Sequence, residues 1–226
     1  VIYHSFVTEG EREMFVYTPP GYNDDIQYPV LYLFGGSGEL AGSWSEFGRV
    51  NFIMDNLIAE GKAIPMIIVM MNNQMLHRND PNHTSLTFDL VDRELTTQVM
   101  PYIDRNYSVR TDRHGRAICG LSMGGRHAQI VGFNNLDLFA SFGILSAGLP
   151  LEQTPAIFEP DFNSKVDYLF LGAGTNETND KSRQVITHQQ FQENNIKHDY
   201  YIGSDGAHTF NTWRYLLYYQ FLPKLW

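Results

Sequence analysis

The pentapeptide Gly120-Leu121-Ser122-Met123-Gly124 constrains what this chain can fold into more than any other stretch. It lies between an apolar run, Arg116-Ala-Ile-Cys-Gly120, and a run with helical character, Gly125-Arg-His-Ala-Gln-Ile-Val-Gly-Phe133. A serine on a sharp turn from strand to helix is held in a strained backbone conformation, and side chains two residues away on either side would collide. Glycine at 120 and 124 removes both, so the hydroxyl projects from the end of a sheet. The helix that follows aims its unpaired N–H groups and partial positive charge at negative charge developing beside Ser122. Ser122 is therefore the candidate nucleophile. The competing reading is a glycine-rich turn without chemistry.

Strands and helices alternate around this elbow. Strands are expected over Ile2–Thr8, Arg12–Thr18, Tyr28–Phe34, Met66–Met71, 116–121, Ser141–Leu145, Asp167–Leu171 and Asp199–Ile202. Helical spacing marks Phe52 to Ile58, about Asp89 to Asn106 with a bend or restart at Pro101, the elbow helix, Ser182–Asn195, and a closing helix with Phe210, Trp213, Leu217 and Phe221 on one face. Residues 72–84 and 147–164 read as loops. This alternation predicts an α/β fold with a mostly parallel sheet covered on both faces, in which function gathers at the strands' C-terminal ends. With 226 residues, one domain spanning 1–226 is expected.

The formal net charge of −9, with 16 Lys and Arg scattered, argues against a nucleic-acid partner. No apolar stretch approaches the ~20 residues of a membrane span. Cys119, the single cysteine, cannot form an internal disulfide and reads as a buried structural thiol. His77, His83 and Asp80 share a loop, but their spacing matches no standard metal pattern, and no metal or cofactor is expected. The chain opens at Val1 without a signal-peptide pattern; the expectation is a processed or trimmed product. Asn82, Asn106 and Asn176 head sequons, the last expected to stay bare because a glycan there would crowd the acid loop.

A serine hydroxyl needs a base to take its proton, and that base is nearly always histidine. Of eight histidines, His208 follows the last strand within Gly203-Ser-Asp-Gly-Ala207 and opens the closing helix. A third group must orient it. The chain after the preceding strand offers Glu177 and Asp180, with Asp205 competing by its nearness to His208; Glu177, nearer the strand end, is preferred. Oxyanion donors are expected from the backbone N–H of Met123 and, in the loop Gly35-Gly36-Ser37-Gly38, of Ser37.

Together these residues resemble the putative-esterase family of α/β hydrolases, which includes the feruloyl and acetylxylan esterases of carbohydrate esterase family 1 and the mycolyltransferases. The likeness covers nearly the whole chain. It lies in Val16-Tyr-Thr-Pro-Pro-Gly-Tyr22, Tyr28-Pro-Val-Leu-Tyr-Leu33, Glu94 with Pro101-Tyr-Ile-Asp104 and Tyr107, the elbow, Gly172-Ala-Gly-Thr-Asn-Glu177, Gly206-Ala-His-Thr-Phe210 and Trp213. The resemblance implies an α/β-hydrolase fold with Ser122 as nucleophile, His208 as base and Glu177 where the family more often has aspartate. Two departures stand out. Gly35-Gly36-Ser37 replaces the usual His-Gly-Gly, which is expected to loosen loop support, and glutamate's extra methylene requires the acid loop to be set back.

The resemblance further implies a serine carboxylesterase acting on feruloyl, other hydroxycinnamoyl or acetyl esters of plant polysaccharide such as xylan, secreted or periplasmic. Trp44 and Trp213 are the candidate substrate-binding aromatics, Trp213 also readable as a core anchor of the last helix. The alternatives are an acyltransferase of the mycolyltransferase branch and a non-catalytic carbohydrate-binding relative.

Overall fold

The computed structural model describes residues 1–77 and 79–226, with side chains throughout these except at Thr84 and Ser85. Arg78, within the expected loop 72–84, lies outside the described residues.

Apolar β-branched and aromatic runs form the inner strands. In order along the chain, β1 (Ile2–Ser5), β2 (Gly10–Tyr17) and β3 (Val30–Phe34) precede α1 (Ser43–Glu46), α2 (Val50–Ala59) and β4 (Ile67–Met71). Then come α3 (His83–Glu94), α4 (Met100–Asn106), β5 (Arg116–Leu121), α5 (Met123–Asn134), β6 (Ser141–Leu145) and α6 (Phe162–Lys165). The chain ends through β7 (Tyr168–Gly174), α7 (Arg183–Glu193), β8 (Asp199–Gly203) and α8 (Phe210–Tyr215). The eight strands form one sheet in the order β1-β2-β4-β3-β5-β6-β7-β8. The β1–β2 and β2–β4 pairs are antiparallel and the rest parallel. This is the α/β-hydrolase fold.

Side-chain alternation divides the core into two layers. Val30, Tyr32 and Phe34 of β3 pack on one face with Val91 and Leu95 of the α3 region, Val131 and Phe133 of α5, and Phe191 of α7. Leu31 and Leu33 face the other way, toward Val50, Met54 and Leu57 of α2 and Trp213, Leu217 and Phe221 near the C-terminus. Cys119 is fully buried in this second layer, and burial pushes its thiol pKa up, consistent with a structural role.

Several boundaries differ from the sequence expectation for visible reasons. β1 stops at Ser5 because its hydroxyl accepts the N–H groups of Val7 and Thr8, turning the chain. The helix expected from about Asp89 starts at His83, six residues earlier, where a polar first turn carries no apolar period to announce it. Pro101 lies in the first turn of α4, directly after a wider π-helical turn over Leu95–Val99, so its missing N–H breaks no regular α-helical bond. The expected loop 147–164 holds two 3-10 turns, Leu151–Gln153 and Pro155–Phe158, and the short α6. β7 runs on to Gly174, because pairing with β8 extends to Gly174↔Gly203 despite the weak strand propensity of its glycines.

Candidate active site

Ser122 sits between β5 and α5 with φ 54° and ψ −117°, a conformation that is costly for a residue with a side chain. Tertiary contact sustains it. The Ser122 N–H donates to Leu145 O at 2.8 Å, and its carbonyl accepts from Arg126 N–H at 3.2 Å. A Cβ on Gly120 would come within 2.3 Å of Gly124 O, and one on Gly124 within 2.4 Å of Gly35 O. The two glycines therefore do more than relieve the turn. They let the elbow touch itself and the loop after β3.

That loop is held by residues the sequence reading did not assign. Asn73 accepts the Gly35 N–H at 3.1 Å and donates back to Gly35 O at 2.9 Å. Its amide also meets Nδ1 of the fully buried His127 at 3.0 Å. Burial first, then the charge of Arg126, pushes the His127 pKa down to about 3, so the imidazole is neutral and can accept there. Glu39 accepts the Gly36 N–H at 2.7 Å, and Gln74 donates to Gly36 O at 2.8 Å while accepting the Gly38 N–H at 3.1 Å. The expected loosening of this loop is thus corrected: three polar side chains brace it without the family's usual histidine. Among the described residues, no backbone carbonyl takes the N–H of Ser37 or Met123.

His208 lies ahead of α8, its Nδ1 2.6 Å from Glu177 Oε2. The other carboxylate oxygen accepts from Ser146 Oγ at 2.6 Å and from the Gly174 N–H at 2.9 Å. Ser146 Oγ in turn accepts from the Trp213 indole at 2.8 Å, and the Trp213 ring meets the His208 ring edge-on at 5.0 Å. Burial raises the Glu177 pKa, but the hydrogen bonds from His208, Ser146 and Gly174 outweigh it and leave the carboxyl below its ordinary value. The acid is held ionised. The extra methylene of glutamate is absorbed by a 3-10 turn over Thr175–Glu177 that folds the side chain back toward Gly174. Asp180 and Asp205 make no hydrogen bond or ion pair with His208.

Ser122 and His208 both line two cavities at the C-terminal rim of the sheet, of about 740 Å³ and about 420 Å³. No hydrogen bond joins them directly, an open arrangement of the kind that tightens when substrate binds. The larger cavity is walled by Arg126, Glu177, Arg183 and Gln184, the smaller by Ser37, Leu121, Phe210 and Trp213. Trp44 is elsewhere. It is 1% exposed and donates its indole N–H to Phe34 O at 2.9 Å, so the expectation that it binds substrate is corrected to a core anchor. Trp213 reaches the smaller cavity, although its indole N–H is spent on Ser146.

Ser146 was also missed. Its signal is positional: it directly follows β6, at the sheet end where function gathers, and its φ of 50° turns the hydroxyl toward Glu177.

Comparison with known proteins agrees with this architecture. Residues 5–222 match the family described as putative esterase. The chain belongs to this family of carboxylic ester hydrolases. It is 33% identical over 207 residues to an endo-1,4-beta-xylanase/feruloyl esterase of Xylanibacter ruminicola, an alignment covering 88% of this chain and 27% of that protein. An endo-1,4-beta-xylanase Y of Acetivibrio thermocellus is 30% identical over 61% of this chain and 13% of its own length. The chain thus spans about a quarter or less of the curated relatives it matches first. Among solved structures, a ferulic acid esterase superposes with a TM-score of 0.84 at 28% identity, covering 100% of this chain and 95% of the other. The CE1 ferulic acid esterase of the anaerobic fungus Anaeromyces mucronatus gives 0.81 at 27% identity, covering 99% and 88%.

Proposed function

We propose that this esterase-family member is a serine esterase that releases hydroxycinnamic acid, ferulic acid in the first place, from plant cell-wall polysaccharide such as xylan, through a triad of Ser122, His208 and Glu177. The observation that carries the reading is the ionised Glu177 fixed on His208 Nδ1, which leaves Nε2 free to face the serine that lines the same two cavities. His208 Nε2 takes the Ser122 proton as Oγ attacks the ester carbonyl. The oxyanion is met by the N–H groups of Met123 and Ser37, and the imidazolium gives its proton to the departing sugar oxygen, which leaves as the hydroxyl. Water then attacks the acyl-enzyme by the same steps, regenerating Ser122 and free acid. Glu177 orients the ring and stabilises its cation.

The names of the relatives support feruloyl over acetyl as the acyl group. Leu121, Phe210 and Trp213 give the smaller cavity an apolar wall suited to a flat aromatic acid. Residues 1–226 act as one domain, working outside the cytoplasm where such polysaccharide is met. Among the described residues no helix is long and apolar enough to cross a membrane.

The test is ferulate release from methyl ferulate and from feruloylated xylo-oligosaccharides. Ser122→Ala is expected to lower kcat by roughly 10⁴-fold or more with the fold intact, and to abolish labelling by a fluorophosphonate. Turnover undiminished in Ser122→Ala would refute the assignment. Formation of a new ester in preference to free acid, when a sugar alcohol is present, would replace hydrolysis with acyl transfer.

A further inference from the structure

The larger cavity beside Ser122 is lined by Arg126, Lys181 and Arg183, three cations in a chain whose formal net charge is −9. None of the three is in an ion pair among the described residues. The carboxylate among the described lining residues, Glu177, already serves His208, Ser146 and Gly174. Their placement works against fold stability. Arg126 stands in the first turn of α5, and Arg183 opens α7 two residues after Lys181, so all three lie at positive helix ends that favour acids instead. Neither first turn carries an acidic residue. Arg126 and Arg183 are also close enough to repel: burial first, then the charge of Arg183, holds the Arg126 pKa below its ordinary value. Cations gathered without partners around a cavity that contains a nucleophile are placed for an anion that arrives with the substrate.

We propose that Arg126, Lys181 and Arg183 form a carboxylate-recognising subsite, and that the preferred substrate bears a uronic-acid carboxylate on the glycan side of the scissile ester. This rests on the esterase reading above. The smaller cavity, with Leu121, Phe210 and Trp213, takes the apolar acyl group, which leaves the larger and polar one to the sugar leaving group. Paired guanidinium groups suit a planar carboxylate, which they can grip through two N–H donors each.

The test compares kcat/KM for feruloyl esters of an oligosaccharide with and without a uronic-acid residue. The wild-type enzyme is expected to favour the acidic ester by about tenfold or more at low salt, and less at roughly 0.5 M salt as charges are screened. Arg126→Gln with Arg183→Gln should bring that ratio near one, and the corresponding Lys substitutions should restore part of it. Calorimetry with the uronic-acid oligosaccharide and Ser122→Ala protein reads the subsite without turnover, and weaker binding in the arginine double variant is expected there. A wild-type ratio near one, a preference that survives in the double variant, or equal calorimetric binding of acidic and neutral oligosaccharides overturns the proposal. A preference that follows a carboxylate on the acyl group overturns its placement on the glycan side. Failure of the esterase reading shows separately, as ferulate release that does not depend on Ser122.

Discussion

Glu177 has partners on both oxygens, His208 on one and Ser146 with the Gly174 N–H on the other. Its folded pKa lies below the unfolded value of about 4.3, so the ionised carboxylate stabilises the fold fully above that pH. The contribution is lost as pH falls through the lowered folded value. Glu177→Gln is therefore expected to cost stability near neutral pH, with the gap from wild type closing below about pH 4 in urea denaturation. A gap independent of pH would contradict the account. The same substitution should lower kcat by about 10²- to 10⁴-fold, because the imidazole loses the charge that orients it. At this scale the proposed triad of Ser122, His208 and Glu177 was readable from motif and chain order, and the structure pairs His208 with Glu177. Ser146 and the link from Trp213 were not, since a serine and a tryptophan 67 residues apart announce no hydrogen bond.

The loop after β3 owes its shape to elements that follow much later in the chain. Asn73, just past β4, fastens Gly35 and contacts His127 on α5. Asn73→Ala would free both Gly35 groups and leave His127 Nδ1 without its donor in a buried site. It is expected to cost about 1–3 kcal/mol of stability, and to lower kcat roughly tenfold or more by letting the Ser37 N–H drift from the oxyanion. Denaturant melts and steady-state kinetics check the two effects, and unchanged kcat would show the loop to be held without Asn73. The departure from His-Gly-Gly was visible in the sequence, but its consequence was misjudged. Spacing shows which support is missing and not which distant side chain replaces it. Periodicity served helices and strands well where one face is apolar. It failed at the polar first turn of α3 and at the glycine-rich end of β7, where pairing overrides propensity.

Across the whole molecule, Glu94 fastens the antiparallel edge of the sheet to the helical layer. It is fully buried, accepts from Tyr3 Oη at 2.7 Å and Ser5 Oγ at 2.6 Å, and lies 3.4 Å from Arg12 Nε. Glu94→Ala leaves Arg12 without its buried partner and two hydroxyls without an acceptor, so a loss of about 3–5 kcal/mol is expected. Limited proteolysis should then cut first near the β1–β2 hairpin, and protection there equal to wild type would argue against the tether. The amino-acid order alone established the alternating α/β pattern, the strained elbow at Ser122 and the order Ser122, Glu177, His208 in which the proposed triad follows along the chain. Each of these depends on neighbours within a few residues or on a repeating period. Folding decided that Trp44 anchors the core while Trp213 lines the smaller cavity, that Asn73 and Glu39 brace the loop after β3, and that three cations border one cavity. Those arrangements join residues tens of positions apart, and the direction in which each side chain points is set by sheet order and packing, which no local pattern encodes.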